Sequence, residues 1–275
     1  ICAALLLGDR SGLSSGDEAR LAEAGLSHLL AVSGFNVAVL AAILHFLARG
    51  AGASRRMAAT IIIPALFLYL LLNRDESSVV RAVVMAVTVL GGALLWRKSN
   101  PVNALGLAAV IILAVFPAQI HDAGFQLTFA ATLSLIVITP RLLAPEGRQT
   151  RQSRSRPARW LRVALVVSLV AALGTLPLTL LHFNRVTPGA IPANLVAGPL
   201  MAAAFVGAGV IAATAPISER LTRAAVHATI LLVETTFLIA EIICSVPWMT
   251  YRRITPGPAP IFLYYGALFW VVAGG

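Results

Sequence analysis

Arg81 lies about one turn into an apolar run that begins at Ser77. An ionised side chain at such a position costs several kcal/mol unless it is paired or wet. Two readings suit it: it reaches the membrane interface and pairs with Asp75 or Glu76, or it lines a water-filled path as a fixed cation. A second group, Arg220, His227, Glu234 and Glu241, recurs every seven residues within another apolar stretch. Seven residues are nearly two helical turns, so the four share one narrow stripe. That pattern serves a flat amphipathic helix, internal ion pairing, a lined aqueous pathway or a proton relay. His28 and Asn36, eight apart, flank Ser33-Gly34 near one helix face. Asp122, Gln126 and Thr128 head a further run, where caps and interhelical hydrogen bonds are the ordinary use of such residues. A serine near a histidine admits nucleophilic catalysis, but Ala31-Val32-Ser33-Gly34 lacks the small-residue oxyanion turn an intramembrane hydrolase needs. Cys2 and Cys244 stand far apart without His or Asp at ligand spacing, so neither a metal site nor a disulfide framework is expected. No catalytic residue and no cofactor is assigned, and the segment is not expected to be an enzyme.

The elements that must position these residues follow from composition. The 275 residues are 59% hydrophobic and 12% charged, with a mean hydropathy of +0.87. A soluble domain carries roughly twice that charged fraction, and a soluble chain this apolar would face water with large greasy patches. Lipid is the solvent that fits. At about 20 apolar residues per crossing, the length admits roughly eight to ten spans. Apolar stretches fall at 28–48, 57–73, 77–96, 101–117, 123–143, 160–183, 188–215, 220–246 and 258–275. The fold expected is therefore an all-α, polytopic transmembrane bundle of roughly eight to nine membrane segments. Ser15-Gly16-Asp17-Glu18 is a capping-box pattern that starts a short amphipathic surface helix, closing near Gly25. The Thr187–Pro199 stretch holds Pro188, Gly189, Pro192, Asn194 and Gly198, and predicts a broken or re-entrant helix near 187–200.

A net charge of +10 suggests nucleic acid in a soluble protein, but here it has a topological source. Arg49, Arg55 and Arg56 follow the first stretch, Arg97 and Lys98 the third, an Arg-rich run from Arg141 to Arg162 the fifth, and Arg220 with Arg223 the seventh. The alternate loops hold little positive excess: Arg74 beside Asp75 and Glu76, Asp122 alone, and Arg185 alone. Positive loops stay in the cytoplasm, which places the N-terminus of the segment outside. Arg252 and Arg253 break this pattern. Ile1 is not a start Met, and Leu268 to Gly275 stops within an apolar run, so a segment of a longer chain is expected.

Motifs carry the reading further. Leu6-Leu7-Gly8-Asp9-Arg10-Ser11-Gly12-Leu13 and Ala24-Gly25-Leu26-Ser27-His28-Leu29-Leu30-Ala31-Val32-Ser33-Gly34-Phe35-Asn36 resemble the signature of the ComEC competence family. Ser78-Val79-Val80-Arg81-Ala82-Val83-Val84-Met85, Asp122-Ala123-Gly124-Phe125-Gln126-Leu127-Thr128-Phe129-Ala130, and Ile191-Pro192-Ala193-Asn194 through Leu200 are similar to its later motifs, in order. Asn36 replaces a usual histidine and Thr128 a usual serine, so any role needing an imidazole at position 36 is in doubt.

The resemblance implies that residues 1–275 form a single membrane-embedded domain of the bacterial cytoplasmic membrane, carrying one DNA strand inward during natural transformation. It implies flanking OB-like and metallo-β-lactamase-like domains elsewhere in the parent, a DNA receptor outside, and a helicase-like ATPase inside. A strand carries one charge per nucleotide and needs wet polar walls with weak, multiple contacts. Arg10, His28, Ser33, Asn36, Arg81, Asp122, Gln126 and Asn194 are the candidate path residues. The alternative is a proton-coupled transporter of a small solute, with Glu234 and Glu241 as carriers and Thr187–Pro199 as the substrate site.

Overall fold

The computed structural model describes residues 16, 21, 24–26, 33–73, 75–95, 100–144, 156–246, 251–252 and 257–274. Among them run nine α-helices: α1 Gly34–Gly50, α2 Arg55–Leu72, α3 Ser77–Leu94, α4 Pro101–Val115, α5 Ala123–Leu142, α6 Arg156–Phe183, α7 Ala190–Thr214, α8 Glu219–Ser245 and α9 Pro258–Gly274. A 3-10 turn, Pro117–His121, joins α4 to α5, and two short strands, β1 Arg185–Val186 and β2 Tyr251–Arg252, pair antiparallel. The protein is all-helical in its membrane part. Five helices (α2, α5, α6, α7 and α8) are long and apolar enough to cross a bilayer, and the other four are shorter apolar helices. The nine apolar stretches thus became nine helices, while length and composition qualify five of them as spans.

Local chemistry sets the starts. Ser33 caps α1, accepting from the Phe35 amide at 3.3 Å. Ser54 caps α2 through the Met57 amide, and Asn100, followed by Pro101 at the first helical position, caps α4 through Val102 at 2.9 Å. The short N-terminal helix falls almost wholly outside the described residues, but its close is visible. Gly25 has φ +73, and the Leu26 amide donates to the Leu21 carbonyl at 2.8 Å. This is the left-handed closing turn expected there. Leu21, Ala24 and Leu26 are buried against α7 and α8.

Two cores organise the bundle. Val37 and Ala48 of α1, Ala58, Ile62, Leu66 and Tyr69 of α2, and Val79 and Val83 of α3 form one, reached by Phe205 of α7. Small residues Ala193, Ala197 and Ala204 of α7 meet Val233, Ala240 and Ile243 of α8 in the other. Close approach through small residues is what holds helices together when lipid supplies no hydrophobic drive. Between α5 and α6 the approach is closer still, since a side chain at Gly174 would collide with Ser134.

One expectation is corrected. The stretch near 187–200 is not broken within its helix: α7 runs unbroken from Ala190 to Thr214, through both Pro192 and Pro199. The break lies earlier, at Asn184–Gly189, where Asn184 has φ 53 and Thr187 accepts from Ala190. Pro192 sits in the first helical turn, whose amides have no intrahelical partner to lose, so it does not interrupt α7. The interruption matched by a partner lies in α6. Pro177 removes the amide that would bond the Leu173 carbonyl. Tyr264 of α9 donates to that carbonyl at 2.9 Å, and Tyr265 to the next, Gly174, at 3.0 Å.

A polar site at one end of the bundle

Successive helices joined by short connections pack antiparallel, so the starts of odd-numbered helices and the ends of even-numbered ones share one end of the bundle. The order of polar residues along the sequence places most of the candidates there. Ser33 and Asn36 begin α1, Arg81 lies in the second turn of α3, Asp122 and Gln126 begin α5, and Asn194 lies in the first turns of α7. Arg10 and His28 lie outside the described residues.

Arg81 is the centre of this end. It is buried, with 4% of its surface exposed. Its Nη1 lies 3.2 Å from Asp122 Oδ1, Gln119 Oε1 and Ser77 Oγ. The expected partners Asp75 and Glu76 are not those it takes. The carboxylate comes instead from Asp122, 41 residues along the chain, whose own side chain is 45% exposed. Asp122 is held in place because it caps α5, accepting from the Phe125 amide at 2.7 Å. A charged donor and a charged acceptor make the strong kind of hydrogen bond. The pair ties α3 to α5 while leaving the Arg81 Nε buried without a partner. Gly124 gives the guanidinium its room, because a Cβ there would lie 2.7 Å from Arg81 Nη2.

A second link runs beside the first. Gln126 donates from Nε2 to the Ile120 carbonyl at 2.8 Å, so its Oε1 is the acceptor for His182 Nε2, 2.8 Å away. His182 therefore carries its proton on Nε2. It closes α6 and ties that helix end to α5. Thr128, by contrast, bonds within its own helix, to the Gly124 carbonyl at 2.6 Å. Ser33 is spent on its cap. Asn36 is buried at 2% exposure beside the α1–α3 core, and Asn194 Oδ1 is buried with no hydrogen-bond partner. Gln119 and His182 were not among the sequence candidates. Gln119 offered the weak signal of lying one turn before Asp122, and His182 that of ending an apolar run.

The seven-residue stripe forms a face as its spacing requires, and that face is exposed: Arg220, His227, Glu234 and Glu241 all lie on it. The opposite face, with Thr229, Val233, Thr236, Ala240 and Ile243, is the buried one. Thr229, Thr235 and Thr236 donate back to carbonyls of α8 itself, leaving no bare hydroxyls in an apolar medium. Glu219 and Arg223 pair at the start of the helix. The stripe does not reach the Arg81 site.

The sequence matches the Competence protein family over residues 5–274. It is also similar to "ComE operon protein 3" of Bacillus subtilis (strain 168), at 32% identity over 199 residues. That alignment covers 72% of this chain and 24% of the relative. No solved structure matches the chain.

Proposed function

This chain belongs to the Competence protein family, and from that premise we propose that it is the part of a longer protein that conducts one DNA strand across the bacterial cytoplasmic membrane during transformation. In this reading eight or nine of the helical segments enter or cross the membrane, with the Arg81 end outside and the arginine-rich connections inside. The segment binds and conducts without making or breaking bonds. A receptor delivers DNA from outside, and a helicase-like ATPase draws the strand from inside.

The observation that supports this reading best is the state of Arg81. A cation buried at one end of a membrane bundle is held by a single, half-exposed carboxylate. A guanidinium donates to phosphate oxygens in the same geometry as to a carboxylate. An arriving phosphodiester can therefore replace Asp122 at Arg81 without leaving the buried charge unpaired at any stage. Gln119 and Ser77 supply neutral polar contacts to it. Weak successive contacts of this kind suit movement better than one tight site.

The test is internalisation of labelled duplex DNA by a competent host whose own channel gene is deleted. The host is complemented with the full-length parent of this chain, with or without residues 1–275. Surface binding in both strains, with a protected internal strand only when the segment is present, is the expected result. Equal internalisation without it overturns the reading. Proton-coupled solute transport then leads, because the exposed Glu234 and Glu241 on α8 are the feature that favours it.

A further inference from the structure

We infer that the exposed face of α8 is a self-docking seam, which packs in the membrane against α8 of a second copy of this chain through Glu234 and the two leucines beside it. The inference stands apart from what the bundle conducts. α8 is long and apolar enough to cross a bilayer, and Glu234 stands near the middle of its 27 residues. The side chain nevertheless lies on the exposed face. Ionisable groups at that depth face a bundle interior or water and pair with one another. This bundle offers Glu234 no such interior. Among the described residues α8 packs chiefly on α7, with Leu21, Ala24 and Leu26 on that same buried side. Glu234 therefore points outward at the rim of the bundle, where a path through its interior does not reach.

The spacing around Glu234 says what covers it. Arg220, His227, Glu234 and Glu241 recur every seven residues, and Ala224, Leu231, Leu238 and Ser245 follow each of them by four. Two interleaved sets, four and three residues apart, are the seam of a two-stranded coil. All eight residues are exposed, while Val233, Thr236 and Ala240 on the opposite face are buried. The seam thus lies wholly outside this chain's own core. A second copy suits it because copies in one membrane share an orientation, so their α8 helices run parallel and equal levels meet across a two-fold axis. Leu231 and Leu238 then pack on their counterparts to either side of Glu234, and one Glu234 carboxyl donates a hydrogen bond to the other. His227 meets its counterpart two turns away, where one imidazole N–H donates to the other ring. Polar side chains bonded in this way hold membrane helices together, and a single polar level fixes the register of a seam. Arg220 and Glu241 lie near the two ends of α8, where long side chains reach water. The seven-residue period gives the two helices a left-handed crossing.

The experiment uses the full-length parent with its native cysteines replaced by serine, expressed as two differently tagged forms in one membrane. A cysteine is placed at Leu231, Leu238 or Ala228, the last being exposed but about a quarter-turn from the seam. Oxidation is expected to join the two tags through L231C and through L238C, and not through A228C. Copies carrying donor and acceptor fluorophores, diluted in lipid, report the strength of association. E234L is expected to weaken it by about three- to fifteenfold, the range for hydrogen bonds between membrane helices. E234Q keeps a donor and an acceptor at that level and should stay within about twofold. Failure of both L231C and L238C to join the tags at normal membrane levels overturns the seam, as does joining through A228C just as readily. Unchanged association in E234L overturns the contact at Glu234 and with it the proposal. Labelling of E234C by a charged, membrane-impermeant thiol reagent also overturns it, because the stripe would then face water.

Discussion

Gly124 stands directly against Arg81: a methyl group added there would lie 2.7 Å from the Arg81 Nη2 and 3.0 Å from Asp122 Oδ1. The absence of a side chain at one residue therefore permits the ion pair of two others. Gly124→Ala must shift the end of the Arg81 side chain, weakening a charged hydrogen bond whose full loss would cost about 1.5–3 kcal/mol. The expected outcome is a lower melting temperature of the purified parent and reduced transformation at unchanged membrane levels. Wild-type values of both would mean that Arg81 relaxes at no cost.

Arg81→Glu sets two carboxylates against each other beneath a polar mouth. Transformation is expected to fall by about tenfold or more, the factor that roughly 1.4 kcal/mol carries, with insertion intact. Adding Asp122→Arg restores the pair but moves the cation from the buried to the half-exposed side. If that double variant recovers full transformation, the pair is structural and does not receive a phosphate.

Glu234 and Glu241 lie on the exposed face of α8, away from α7 and from the Arg81 site. Replacing both with Gln is expected to leave transformation within about twofold, since substitutions remote from a packed or functional feature change free energies by only about 0.5 kcal/mol. Loss of DNA internalisation at normal protein levels would instead place protonation on the transport pathway.

Gly174 of α6 lies against Ser134 of α5, with no room for a Cβ between them. Gly174→Ala is expected to destabilise the purified protein by about 1–3 kcal/mol, the range for overpacking. Adding Ser134→Gly reopens the space and should recover most of the loss. Thermal unfolding in one detergent checks both steps, and failure of the second change to help would show that the strain lies elsewhere.

His182→Ala leaves Gln126 Oε1 without its donor at the junction of α5 and α6. A fully buried acceptor left unsatisfied costs about 1–3 kcal/mol; Gln126 is only part-buried, so a smaller fall in thermal stability is expected. No fall would mean that water replaces the imidazole at that end.

Much of this was legible beforehand because lipid imposes a simple rule. Every apolar stretch long enough to matter had to become a helix, and each did, with Ser33 and Asp122 serving as the caps their residue types suggest. Caps and interhelical hydrogen bonds are what Asp122 and Gln126 make, whereas Thr128 bonds within its own helix, to the Gly124 carbonyl. The partner of Arg81 was not legible. Asp75 and Glu76 are near in sequence, but the connection after α4 delivers Asp122 from 41 residues away, and hydropathy carries no information on which helix ends meet. The break before α7 was misplaced for a related reason. Composition located the prolines without telling which of them fall in a first turn, where a missing amide does no harm.

The bonds from Tyr264 and Tyr265 to α6 span 91 residues of sequence. At typical rates of chain elongation that is roughly 5–20 s of synthesis. Through that interval α6 must sit in or beside the membrane with the Leu173 carbonyl, orphaned by Pro177, still waiting for its tyrosine. The insertion machinery or a chaperone has to shelter that segment until α9 emerges. The packing of α6 is therefore completed only once α9 arrives, and a ribosome stalled before Tyr264 would leave the Leu173 carbonyl unmatched.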